Sequence, residues 1–307
     1  MALRALILGS AAGGGLPQWN CNGPNSATFW TESPPLRSAT QSSLAISGDD
    51  GASWSLLNCS PDIRQQIMAT PALHPRMAHG LRDTPINSIL LTNGDIDHIA
   101  GLLVLREKQP YRLLMTSEIA RVLNENPIFN ALDPDYVSRE TIDLDTPFDL
   151  APGVTASLFA VPGKVPLFME SDHGGDAVKT DLMGEQTVGV ALTAEGQTAY
   201  YVPGCARLVP ELESRLSGAP LLFFDGTLWS DDEMLTQGVG KKTGQRMGHM
   251  SMSGPDGSMA GIAPLGIGRK IYVHINNTNP VWRLGPERDE AEANGWEIGY
   301  DGMEVTL

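Results

Sequence analysis

The chain has 307 residues, enough for one large domain or two small ones around a substantial buried core. Its hydrophobic fraction of 41% and charged fraction of 19% are those of a globular protein, but 36 acidic side chains stand against 21 Lys and Arg, for a net charge of −15. That balance argues against a nucleic-acid surface, which needs basic groups to displace counterions, and against an anionic membrane.

No apolar run approaches the roughly 18 residues needed to span a bilayer. Cys21, Cys59 and Cys205 are too scattered for a disulfide framework or a CxxC site. In chain order, Leu3 to Leu8 reads as a first strand, too short for a signal peptide, so the expected location is the cytoplasm. The turn Gly9-Ser10-Ala11-Ala12-Gly13-Gly14-Gly15 lacks the Rossmann spacing and no helix follows it, which argues against a nucleotide phosphate. Segments 41–46 and 53–58 predict a hairpin around Gly48-Asp49-Asp50-Gly51. Cys59-Ser60-Pro61-Asp62 then opens a helix over 63–69, with Pro61 at an early position. His74 and His79 fall in a Pro-, Met- and His-rich stretch and read as exposed loop residues; His173, in Ser171-Asp172-His173-Gly174-Gly175, reads the same way. Helical patterns cover 99–108 and 117–124, and strands are expected at 89–91, 113–115, 154–160, 188–193, 199–202, 221–224 and 271–274. With no repeat, charge block or linker, residues 1–307 read as one domain of stacked sheets with helices outside.

The most informative stretch is Thr92-Asn93-Gly94-Asp95-Ile96-Asp97-His98-Ile99-Ala100-Gly101-Leu102. A buried strand, a tight polar turn and a helix start place Asp95, Asp97 and His98 at a strand end, aimed outward. Two carboxylates and an imidazole within four residues make half a metal site; the same turn also reads as an Asp-capped helix start. Asp225 and His274 each emerge from an apolar strand. Asp225 needs a partner if buried, as a metal ligand, beside a ligand, or as a turn cap. His274 suits either a ligand or a corner satisfied by backbone groups.

The 93–101 stretch resembles the HxHxDH turn of the metallo-β-lactamase superfamily, with Asp97, His98 and Gly101 in pattern but Asn93 and Asp95 where the leading histidines stand. The resemblance implies an αββα sandwich and gives His274 the role of late-strand ligand. The middle ligand histidine should fall near 159–166, where there is none; Lys164 lies there instead and suits a substrate carboxylate. His249, in Met247-Gly248-His249, resembles a helix-start histidine that some members place near substrate, for proton transfer or positioning.

Over the whole chain, from Gly9 through Pro17-Gln18-Trp19-Asn20-Cys21, Thr40-Gln41-Ser42-Ser43, Ser60-Pro61-Asp62-Ile63-Arg64, Asp225-Gly226-Thr227-Leu228-Trp229 and His274-Ile275-Asn276-Asn277-Thr278-Asn279-Pro280 to Tyr300-Asp301-Gly302-Met303, the sequence is similar to the pyrroloquinoline quinone (PQQ) biosynthesis protein B family. Many relatives carry a CxCxxC knuckle suited to a structural zinc; Cys21, Gly23 and Ser26 stand at those positions here, so no structural zinc is expected. The resemblance implies action on a small-molecule PQQ precursor, a cross-linked Glu–Tyr unit. Two histidines and a carboxylate match non-haem iron oxygenases. The expected activity is therefore hydroxylation of the tyrosine-derived part, with Fe(II), or zinc or another divalent metal, on Asp97, His98 and His274, and Asp95 as an additional or alternative ligand. Asn93, Asp225, Lys164 and Arg246 are expected beside the metal or substrate. A soluble carrier for PQQ or its precursor on the way to the periplasm, and a metal-dependent hydrolase, are the alternatives. A homodimer is compatible with the sequence.

Overall fold

The computed structural model describes residues 2–31, 36–169 and 180–307, so His173 lies outside the described residues. Two seven-stranded sheets stack face to face. The first contains β1 (Arg4–Gly9), β2 (Ser43–Ser47), β3 (Trp54–Leu57), β4 (Ile86–Leu90), β5 (Tyr111–Met115) and β6 (Val137–Thr141), with β14 (Glu304–Thr306) added beside β1. The second contains β7 (Phe148–Ala151), β8 (Val154–Ala160), β9 (Val188–Ala194), β10 (Gln197–Val202), β11 (Leu221–Asp225), β12 (Arg269–Val273) and β13 (Trp296–Ile298), in spatial order β13-β12-β11-β10-β9-β8-β7. Each sheet combines antiparallel pairs with a parallel run, β3 to β6 in the first and β10 to β13 in the second.

Strand alternation explains the layers. Phe223 and Ile271 face the core between the sheets, whereas Leu222, Phe224 and Tyr272 face the helices outside the second sheet. In the first sheet Ile7 points inward, while Leu6 and Leu8 meet the helix Ile63–Ala69. The central strands are buried on both faces, so they appear in sequence as unbroken apolar runs. This is the αββα arrangement. No helix among the described residues is long and apolar enough to cross a membrane.

One expected helix differs. Over 99–108 the chain makes only an α-turn, Ile96–Ile99, and a 3-10 turn, Ala100–Leu103. Gly101 sits against the preceding segment, its N–H donating to the Cys59 carbonyl at 3.0 Å, and a Cβ there would lie 2.0 Å from the Ser60 carbonyl oxygen. That close approach anchors the turn and bends the chain away from a longer helix.

Candidate metal centre

The carboxyl ends of β4, β11 and β12 deliver the chemistry, the usual place for a site in a sheet with parallel strands. After β4, the Asn93 side-chain oxygen accepts the Asp95 N–H at 2.9 Å, and the Asp95 carbonyl accepts the His98 N–H at 2.9 Å. The turn is therefore closed by its own polar groups, and it projects Asp97 and His98. At the end of β12, His274 takes a left-handed backbone with φ of 56°. Such a conformation is costly for a residue with a Cβ, of the order of 1–2 kcal/mol. Thr227 packs against it there: its hydroxyl oxygen lies 2.8 Å from the His274 Nδ1 and 3.0 Å from the His274 carbonyl oxygen.

The structure brings Asp97, His98 and His274 together, with one ligand atom from each within 4.8 Å of the others. Asp225, His249 and His274 form a second such group, sharing His274. The three imidazoles stack in a column, His98 on His274 at 5.3 Å and His274 on His249 at 5.1 Å between ring centroids. Asp97 Oδ2 lies 3.1 Å from His274 Nε2 and its Oδ1 lies 3.5 Å from His98 Nδ1. Both His98 ring nitrogens are buried without a hydrogen-bond partner among the described residues. A buried orphan nitrogen is expensive, and a metal ion is the partner that this donor set suits.

Charge reinforces the geometry. Burial opposes ionisation of Asp97, but His98 and His274 outweigh it and hold the carboxyl well below the usual carboxylate range. In His98 burial favours the neutral ring, yet the adjacent Asp97 charge prevails and raises its pKa above the ordinary histidine value. His274 goes the other way: burial pushes it down, partly countered by Asp97. Asp225 is fully buried, and although burial raises a carboxyl, His249 outweighs it and lowers the pKa. Its Oδ2 lies 2.7 Å from His249 Nδ1 and accepts the Cys205 N–H at 2.9 Å; its Oδ1 accepts the Thr227 N–H at 3.0 Å and the Thr227 hydroxyl at 2.6 Å.

A cavity of about 350 Å³ opens onto these groups. Asn93, Asp95, Lys164 and His249 line it. Asp95 stands outside both ligand groups, because it serves as the residue preceding the helix Ile96–Ile99. Arg246 is not among the lining residues: it belongs to the short helix Gly244–Met247, whose neighbour Met247 faces the cavity instead. Lys242 does line the cavity and was not anticipated, nor was the bridging role of Thr227. Its place after Asp225-Gly226 at a strand end was the one signal for Thr227, and the Lys241-Lys242 pair in a polar loop offered none for Lys242. At the knuckle positions, Cys21 Sγ accepts the Gly23 N–H at 3.2 Å.

A family model described as "Beta-lactamase superfamily domain" matches residues 53–275. The chain is 55% identical over 305 residues to coenzyme PQQ synthesis protein B of Rhizobium meliloti, covering 99% of this chain and 98% of that protein. It is also 55% identical over 306 residues to the Ruegeria pomeroyi protein of the same name, covering 99% and 100%. Among solved structures, Zn(2+)-bound PqqB from Methylobacterium extorquens matches with a TM-score of 0.95 and 48% identity over 99% of this chain and 100% of that one. A diphosphatase from the PhnP family, at TM-score 0.68 and 18% identity over 100% and 98%, is similar in fold alone.

Proposed function

The chain belongs to the coenzyme PQQ synthesis protein B family of the β-lactamase superfamily, and from that premise we propose that it is an iron(II)-dependent oxygenase of PQQ biosynthesis. Its substrate in this reading is the cross-linked Glu–Tyr precursor, hydroxylated on the tyrosine-derived ring by one atom of O2, the other leaving as water with two electrons from an external reductant. The observation that carries the reading is the donor set. Two imidazoles and one carboxylate converge from Asp97, His98 and His274, and among the described residues neither His98 nitrogen makes a hydrogen bond. That set, with its remaining positions open, suits mononuclear non-haem iron. Bound there, iron would supply the activation of oxygen.

The protein's own groups do the rest. Thr227 fixes the orientation of His274, and Asp225 fixes that of His249. His249 lines the cavity and is placed to take a proton from the phenol hydroxyl and return it. Lys164 and Lys242 on the cavity wall meet the precursor's carboxylates, countering the repulsion of a strongly acidic chain. Asn93, which closes its own turn, is a poor nitrogen donor, and this weakens the case for paired-metal water activation.

A hydrolase is the second reading, favoured by the second ligand group of Asp225, His249 and His274, which offers a place for another ion. The two separate in one experiment. Protein stripped by chelator and reloaded anaerobically with Fe(II) or with Zn(II) is given the precursor and a two-electron reductant such as ascorbate in an oxygen electrode. The oxygenase reading expects uptake with iron alone, and loss of bound iron in His98→Ala and His274→Ala. Turnover with zinc and no oxygen would establish the hydrolase, and metal-independent binding of the precursor without turnover would indicate a carrier.

A further inference from the structure

A cavity of about 660 Å³, larger than the one over the metal centre, lies behind the turn that carries Asn276. Trp282 separates the two, donating its indole N–H to the Asn276 carbonyl at 2.8 Å while lining the larger space. Arg37, Arg283 and Arg288 converge on this cavity in a chain with a net charge of −15. The Arg37 guanidinium lies 5.9 Å from the centroid of the Tyr300 ring, and among the described residues neither Arg37 nor Arg283 makes an ion pair. Arg288 pairs with Glu292 at 2.8 Å.

The carboxylate on the cavity wall does not neutralise this charge. Asp301 accepts from the Ser10 N–H and hydroxyl, both at 2.9 Å, and from the Thr40 N–H and hydroxyl, both at 2.7 Å, so its oxygens are turned to the β1 and β2 ends. Two guanidiniums without an ion pair among the described residues, those of Arg37 and Arg283, with the Glu292-paired Arg288 beside them, remain around a space within the roughly 300–1,000 Å³ range of small-molecule sites. Trp282 and Tyr300 give the wall two aromatic faces, and Leu36, Leu284 and Ile298 add aliphatic surface.

We propose that this cavity is a second ligand site, separate from the metal centre, for a flat aromatic molecule bearing two or more carboxylates. Guanidinium forks match carboxylates in bidentate fashion, and an aromatic body stacks on the Trp282, Tyr300 and arginine faces. Neither a neutral aromatic nor a flexible aliphatic acid satisfies both halves of the site. The proposal does not depend on the metal or on the reaction.

Benzene-1,3,5-tricarboxylate, titrated calorimetrically into the full chain after chelator treatment, is the probe. Binding is expected, weakened by added salt. Arg37→Gln and Arg283→Gln should each weaken it about tenfold, the worth of one charge-assisted hydrogen bond. Both side chains are exposed, so the variants should melt with the parent. Lys164→Gln should leave the affinity unchanged. The proposal is overturned if the probe fails to bind, if the lysine change and not the arginine changes abolish binding, or if citrate binds as well. Binding of a glutamate-rich peptide through these arginines, with none of the aromatic acid, would make the cavity a protein-docking surface and overturn it too.

Discussion

Asp225→Asn tests how tightly the two halves of the site are tied together. In the parent, four donors converge on one carboxylate: the Cys205 N–H, the Thr227 N–H, the Thr227 hydroxyl and His249. An amide offers one oxygen and one NH₂. Whichever way it is turned, the NH₂ faces the backbone N–H of either Cys205 or Thr227, leaving a buried donor opposite a donor. One unsatisfied buried group costs about 1–3 kcal/mol, and replacing a charge-assisted bond to His249 adds about 1 kcal/mol, for a loss of roughly 2–4 kcal/mol. In a chain of this size that lowers the melting temperature by about 3–6 °C. The assay is thermal and urea unfolding of chelator-stripped parent and variant. The pH dependence has a definite sign. The Asp225 pKa is lowered on folding, so its stabilisation is complete above the unfolded value near 3.9 and is lost as pH falls through the lower folded value. The difference between the proteins should therefore be flat from about pH 5 upward and shrink only in acid. A loss under about 0.5 kcal/mol at neutral pH would refute the reasoning, because it would mean that Asp225 does not bind these donors in solution.

Three further outcomes follow from the same geometry. The His98 pKa is raised above 6.5 and the ring must lose its proton to bind a metal, so affinity should fall as pH drops, starting above 6.5; calorimetric titration of metal in two buffers of different ionisation enthalpy should show proton release at neutral pH, and none would count against His98 as ligand. His249→Ala should retain stoichiometric iron but turn over roughly 10²–10⁴-fold more slowly, read by product formation under single-turnover conditions; an unchanged rate would remove His249 from proton transfer. Lys164→Gln and Lys242→Gln should each weaken precursor binding about tenfold without altering metal affinity, whereas Arg246→Gln should alter neither; equilibrium dialysis of precursor and metal checks all three.

Strong local signals were readable from the sequence. The helix Ile63–Ala69 and the strand Val154–Ala160 occupy the residues expected for them, because one has a clear start signal and the other a short apolar run between turns. Edge strands were not readable. In Val137–Thr141 the three residues after Val137 are Ser, Arg and Glu, and β13 and β14 have three residues each, too few for a periodicity. The same limit applies at the site. Asp97 and His98 are neighbours in sequence, and their chemistry is visible there. The partnership of Asp225 with His249 spans 24 residues, and that of Asp97 with His274 spans 177; the fold alone creates them. Thr227 shows the difficulty most clearly, since one hydroxyl touches Asp225, His249 and His274 while its local sequence shows only a Thr after Asp225-Gly226.

Isotope labelling tests the oxygenase reading most directly. Iron-loaded protein is incubated with the cross-linked Glu–Tyr precursor and the reductant under ¹⁸O₂ in ordinary water, and in parallel under ordinary oxygen in labelled water, with the product analysed by mass spectrometry. The prediction is label from oxygen gas in the tyrosine-derived ring, dependent on iron and absent in His98→Ala and His274→Ala. Label from water alone, with zinc supporting full activity in the absence of oxygen, would contradict it.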